Sequence, residues 1–217
     1  MFRKALLTCG ILSSVLYVAL VVVIGSQWNE YNWMSQTISE LSAVDAPTRR
    51  PWAIGGALYT ILVLAFGWGV RMSAGSMVNL RRSSHAILAY GSLGLLWPLA
   101  PMHLREVLAA GGGTSSDTMH LVLASMSVGL MLVAMALAST AFDRRFRWFT
   151  AASLVILCLF GALTFLDAPR VGENLPTPWL GLWERINVGV FLRWVAALAI
   201  TVWRVPVARP VPTAVQL

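Results

Sequence analysis

The chain has 217 residues, of which 58% are hydrophobic and 12% charged, with a formal net charge of +7. Soluble domains run at roughly 45–50% apolar and about 25% charged, so this composition and a mean hydropathy of +0.72 exclude an ordinary water-soluble globular protein. The basic residues form no basic helix and no stacking platform, so the charge gives no nucleic-acid partner; membrane lipid is the expected electrostatic partner.

A helix needs about 20 apolar residues to cross the hydrocarbon core. Six such stretches lie near 5–25, 51–71, 84–102, 119–141, 149–167 and 185–204. The expected fold is all-α: one polytopic six-helix transmembrane bundle over 1–205, followed by a disordered cytoplasmic tail, 206–217, carrying Pro206, Pro210 and Pro212. The first apolar run follows Met1-Phe2-Arg3-Lys4 and reaches Gly25, longer than the apolar region of about 7–15 residues in a secretory signal. No small-x-small cleavage site precedes Gln27-Trp28, so the run is expected to stay as span 1.

Orientation follows from Lys and Arg in short flanking loops, which resist translocation. With the N terminus inside, the inner side holds Arg3, Lys4, Arg71, Arg81, Arg82, Arg144, Arg145, Arg147, Arg204 and Arg209. The outer side holds Arg49, Arg50, Arg105, Arg170 and Arg185, and Arg193 falls within span 6. Both termini are then cytoplasmic, in a multi-pass protein of the cell's inner (plasma) membrane. Of the nine acidic residues, all but Asp143 fall on the outer side, which marks that side as the polar, chemically equipped face.

The outer loop after span 1, 26–50, is rich in aromatic residues. Met34, Ile38 and Leu41 recur at spacings of four and three, which predicts a short amphipathic helix lying at the interface. Span 2 carries Gly55-Gly56 and Gly67-x-Gly69, and span 3 carries Gly91-x-x-Gly94, small residues that let helices approach closely. Pro98 and Pro101 are expected to kink or end span 3 before His103, freeing carbonyls that need partners in a dry environment. Gly111-Gly112-Gly113 then leads to span 4, with Ser115 or Ser116 as its cap. Without a preceding strand or a Gly-Lys-Ser/Thr ending, this glycine run does not predict a phosphate loop. Cys9 and Cys158 sit at different predicted depths, which argues against a disulfide.

His103-x-x-Glu106 and Asp117-x-x-His120 form a mirrored pair of spacings at the outer ends of spans 3 and 4. If the intervening loop folds back, His103, Asp117 and His120 become candidate ligands for a divalent metal, with Glu106 as candidate general base. Solvated interface residues are the alternative reading. Asp167, Glu184, Arg185 and Glu40 share a similar predicted depth, so Arg185 is expected to pair with Glu40 or Asp167, tying the first loop to the bundle. Arg193 costs about 2.5–3.5 kcal/mol near a helix centre, so it is expected to face the bundle and to bind an anionic headgroup or ion.

Two stretches resemble the bacterial and archaeal membrane proteins grouped as domain of unknown function 998. They are Tyr31-x3-Ser35-x2-Ile38-Ser39-Glu40-Leu41-x4-Ala46-Pro47, followed by a Gly-rich second span, and Gly181-Leu182-x-Glu184-Arg185-Ile186. The resemblance implies a single six-helix bundle, implies no activity, and draws attention to Ser39, Glu40, Glu184 and Arg185. The functional expectation is an outward-facing polar pocket that binds a small molecule or lipid headgroup, or an accessory role, with Ser39, Glu40, Asp167, Glu184, Arg185 and Arg193 as binding residues. A metal-dependent membrane hydrolase using His103, Asp117 and His120 is the alternative, and a small transporter, able to form a homo-oligomer, the third.

Overall fold

A computed structural model describes residues 1–204; the expected tail at 206–217 lies outside the described residues. The helices are α1 (Phe2–Gly25), α2 (Arg49–Ser73), α3 (Val78–Gly94), α4 (Arg105–Ala109), α5 (Ser115–Ser139), α6 (Arg144–Asp167), α7 (Pro169–Gly172) and α8 (Leu180–Arg204). Short 3-10 turns lie at Ser39–Ser42 and Trp97–Leu99, and there is no strand among the described residues. Five helical stretches are long and apolar enough to cross a membrane: α1, α2, α5, α6 continued by α7, and α8.

The stretch expected as span 3, 84–102, differs from that expectation. Its helix, α3, starts earlier and has 17 residues, including Arg81 and Arg82, and it ends at Gly94. The 3-10 turn that follows contains Pro98. A proline has no N–H to donate and disfavours helical geometry in the residue before it, so a continuous helix through Pro98 and Pro101 is costly. The carbonyls beyond the break find donors elsewhere. Ala100 O accepts from His120 Nδ1 at 2.8 Å, Pro101 O from Ser116 Oγ at 2.6 Å, and Met102 O from the Val44 amide at 2.8 Å.

Six helices form a closed ring in the order α1, α2, α3, α5, α6, α8, and α8 returns to α1; the α5–α6 joint is the slightest. Toward the end where α1 begins, the ring is packed solid by Leu7, Phe66, Val70, Leu80, Met135 and Leu198. Several polar groups inside it are paired, as a dry environment favours. Trp194 Nε1 donates to Thr150 Oγ1 at 3.1 Å, Ser14 Oγ to Leu192 O at 2.9 Å, and Asn187 Nδ2 to Leu157 O at 2.7 Å.

Close approach of α1 and α2 depends on Gly69, where an added Cβ would lie 2.8 Å from Leu6 Cβ and 3.1 Å from its backbone. A Gly69→Ala variant is expected to lose about 1–3 kcal/mol, since backbone cannot yield as a side-chain tip does. Gly129→Ala on α5, where nothing lies within 4 Å, serves as the control. Thermal unfolding in detergent should separate the two; equal midpoints would show that the α1–α2 contact has slack.

Candidate functional site

The chain between α1 and α2 builds one end of the molecule. Its polar side chains fold it locally: Asn32 Oδ1 accepts from the amides of Met34 and Ser35 at 3.0 and 3.2 Å, and Gln36 Oε1 accepts from the Asn32 amide at 2.6 Å. Tyr31, Ile38 and Leu41 are buried beneath it, packed against Val21, Tyr17 and Trp52. The expected interfacial helix is therefore a single 3-10 turn, Ser39–Ser42, in a loop that plugs the ring. Ile38 and Leu41 face inward as a helical spacing requires, whereas Met34 is exposed.

The plug is fastened to the start of α8. Glu184 accepts hydrogen bonds from the Ile38 amide and from Ser39 Oγ, the latter at 3.2 Å. Arg185 Nη1 donates to Gln36 O and Gly181 O, each at 2.8 Å, while Nη2 donates to the Tyr31 hydroxyl. The guanidinium also lies 5.4 and 5.2 Å from the ring centres of Tyr31 and Trp33. Tyr31 in turn donates to Thr37 O at 2.7 Å, and burial pushes its hydroxyl well above the usual tyrosine range, so it stays a neutral donor. The Leu182 amide reaches Met34 O at 3.1 Å. Gly181 permits this approach, because a Cβ there would sit 2.1 Å from Gln36 O.

Glu40 is 1% exposed and pairs with Arg105, not with Arg185 as expected. The contact is two-pronged: Nη2 to Oε1 at 2.7 Å and Nε to Oε2 at 2.9 Å. Gln36 Nε2 and the Thr37 amide supply further donors at 3.0 and 2.9 Å. The carboxylate hydrogen-bonded to Arg105 pushes the guanidinium above its already high range. Arg105 also reaches Ser35 O at 3.0 Å and Thr177 Oγ1 at 3.3 Å, so one side chain joins the first loop, α4 and the segment before α8. Asp167 pairs within its own turn with Arg170 at 3.4 Å and does not meet Arg185.

His103, Asp117 and His120 do not assemble as metal ligands. Asp117 is committed to local structure: it completes a capping box with Thr114, the actual cap of α5 in place of Ser115 or Ser116. It also accepts from the His103 amide at 2.7 Å and bonds His103 Nδ1 at 2.8 Å. His120 is buried, its Nδ1 turned to Ala100 O and its ring edge-on to Trp97. Glu106 is exposed on α4. Among the described residues, no group of three or more His, Cys, Asp or Glu side chains is placed to hold a metal ion.

Beneath the plug lies a cavity of about 740 Å³. Ser39 and Glu184 line its loop end, and Tyr59, Tyr90, Asn187 and Thr164 supply polar atoms deeper in a wall that is otherwise largely apolar. The Tyr59 and Tyr90 hydroxyls are bonded to each other at 3.0 Å. His120 lines this cavity too, whereas Glu40, Arg185, Asp167, His103 and Asp117 do not. Arg193 lies elsewhere. It is exposed on the outer face of α8, contrary to the expectation that it faces the bundle, because Leu192, Trp194, Val195 and Leu198 take the inward positions.

Apolar helices of spanning length around a partly polar interior define a helical integral membrane protein. A family model described as "Protein of unknown function (DUF998)" matches residues 11–201, and the chain belongs to that family. No curated protein and no solved structure matches the chain. The two stretches that carried the family resemblance, around Tyr31–Pro47 and Gly181–Ile186, meet in space as the plug and its fastening.

Sequence reasoning missed Arg105, Gln36, Tyr31 and Thr177 as partners, since nothing in chain order ties Arg105 to Glu40. Replacing Arg105 by Met leaves a buried carboxylate uncompensated and is expected to cost about 3–5 kcal/mol. A Glu40→Gln, Arg105→Met double variant should lose less than the sum of the singles, by about 0.5–3 kcal/mol. Unfolding in detergent measures all three, and strict additivity would show that the two side chains act independently.

Proposed function

We propose that the protein is a six-span bundle of the plasma membrane, with both termini cytoplasmic, that binds a small amphiphile or a lipid headgroup in the cavity beneath its outward-facing loop. In this reading α3 is the sixth span, shortened by the Pro98 break, and the positive charges flanking α1, α2 and α6 hold that end inside. The observation that carries the reading is the cavity itself, about 740 Å³, within the usual size of small-molecule sites. Its apolar wall suits a hydrocarbon body. Ser39, Glu184, Asn187 and the tyrosine pair suit the polar group of an amphiphile, in an environment where an unpaired polar group is costly.

The route of entry follows from the ring. Leu121, Ser125 and Phe165 line the cavity yet are exposed on the outside of α5 and α6, at the slightest joint. An amphiphile then enters sideways from lipid, while the plug closes the end. Ser39 and Glu184 contact the ligand, whereas Glu40, Arg185 and Arg105 hold the plug in place and Asp167 has no contact with it.

Gly56 offers the test, because it lines the cavity and has open space where a Cβ would stand. A Gly56→Phe variant is expected to fold normally and to lose most of the amphiphile that co-purifies with the wild type, as read by mass spectrometry of organic extracts. Equal recovery from both proteins, or none from the wild type, would reject the cavity as a binding site. Cysteines placed at Met34 and Glu106 should react with a membrane-impermeant reagent added from outside, and reaction only from the cytoplasmic side would reverse the orientation.

A further inference from the structure

A second site, separate from the cavity, lies on the outside of the bundle where α1 meets α8. Ser14 Oγ bonds Leu192 O, and Arg193 borders a groove together with Ser14, Val15 and Val18, which places it beside the middle of α1. From Arg193 to the end of α8 at Arg204 the helix rises about 16 Å, so its backbone is deep in the hydrocarbon. An exposed arginine at this depth is costly, and no salt bridge reaches it among the described residues. The guanidinium lies 5.3 Å from the ring centre of Phe149, one turn from the start of α6, so it leans toward the end where α1 begins.

Beside it runs an open groove of about 330 Å³ lined by Ser14, Val15, Val18, Gly189, Leu192 and Ala196 along with Arg193. Arg193, Ala196, Ile200 and Trp203 recur at helical spacing, so the stripe of α8 that borders the groove runs on toward Trp203. There, Lys4 of α1 lies 5.6 Å from the Trp203 ring centre, setting a second cation at the mouth of the same seam. The seam thus has an apolar trough, an exposed arginine at its edge whose guanidinium lies over Phe149 of α6, and a lysine at its rim.

Charge decides the occupant. This chain's nine acidic residues include none near the depth of Arg193, so a second copy brings no counter-charge, and a symmetric pairing through this face would oppose two arginines. We propose that the seam binds an anionic phospholipid of the leaflet at the end where α1 begins. One acyl chain lies in the groove, and the phosphate is drawn below the interface to Arg193 with Lys4 at the rim. Guanidinium and phosphate match in geometry, and basic pockets between membrane helices suit such headgroups.

The test is native mass spectrometry of the full chain in mild detergent with added phosphatidylglycerol or phosphatidylcholine. The wild type is expected to retain phosphatidylglycerol in preference, Arg193→Leu to cut that retention about tenfold, and Lys4→Gln to cut it less. Arg193→Lys should keep most of it. Leucine eases insertion of α8, and an unfolding midpoint in detergent equal to that of the wild type separates lost binding from misfolding. Equal retention by wild type and Arg193→Leu, or no preference between the two lipids, would overturn the proposal. So would a bound polypeptide, whether a second copy or another protein's helix, that leaves on Arg193→Leu. Gly56→Phe should retain phosphatidylglycerol as the wild type does, which keeps this site's failure distinct from the cavity's.

Discussion

Glu40 is a carboxylate at the end of an apolar bundle with 1% of its surface exposed, and the arrangement around it keeps it supplied with donors. Arg105 grips both oxygens, and Gln36 and the Thr37 amide add to them. A buried charge without such partners costs several kcal/mol, so the segments that carry the donors have to arrive together. Arg105 brings α4, Thr177 marks the segment before α8, and Ser35 and Thr37 belong to the loop that holds Glu40 itself. A long connection between two spans becomes a plug of defined shape because one charge inside it needs satisfying from three directions.

The second constraint is the break after Gly94. A continuous third span would have filled the ring with another full helix. Ending it early leaves a gap at the loop end, which Trp97, Pro98 and Pro101 border as cavity wall. The break also exposes carbonyls, and their partners explain residues whose types suggested chemistry. His120 and Ser116 serve Ala100 and Pro101, and Asp117 serves the start of α5 and His103. A histidine and aspartate pattern that reads as metal ligation in chain order is, in space, repair of an interrupted helix.

The molecule's charges thus divide by task. Glu40, Arg105 and Arg185 are consumed in holding the plug, Glu184 both fastens it and borders the cavity, and Arg193 stands apart on the outer surface. The ring is solid toward the end where α1 begins and hollow toward the plug, since large apolar side chains such as Phe66, Phe191, Trp194 and Leu198 meet there. Glycines on α2 and α3 let the helices approach, with Gly67 against Leu88 and Gly91 against Leu64.

The sequence by itself determined the class of the protein, because hydropathy and helix length are properties of consecutive residues and lipid accepts little else. It also determined that Pro98 and Pro101 interrupt the third apolar stretch, and the family resemblance singled out the segments around Glu40 and Glu184, which meet in space. Tertiary structure decided the rest. Glu40 pairs with Arg105 rather than Arg185, because a charge takes whichever donor the fold brings within about 3 Å, and sequence separation does not report that distance. Arg193 faces outward, because the helical phase of α8 is set by Trp194 and its neighbours packing against α6 and α1. The cavity itself is a space between side chains from six helices and the plug, and a space has no signature in any one stretch of chain.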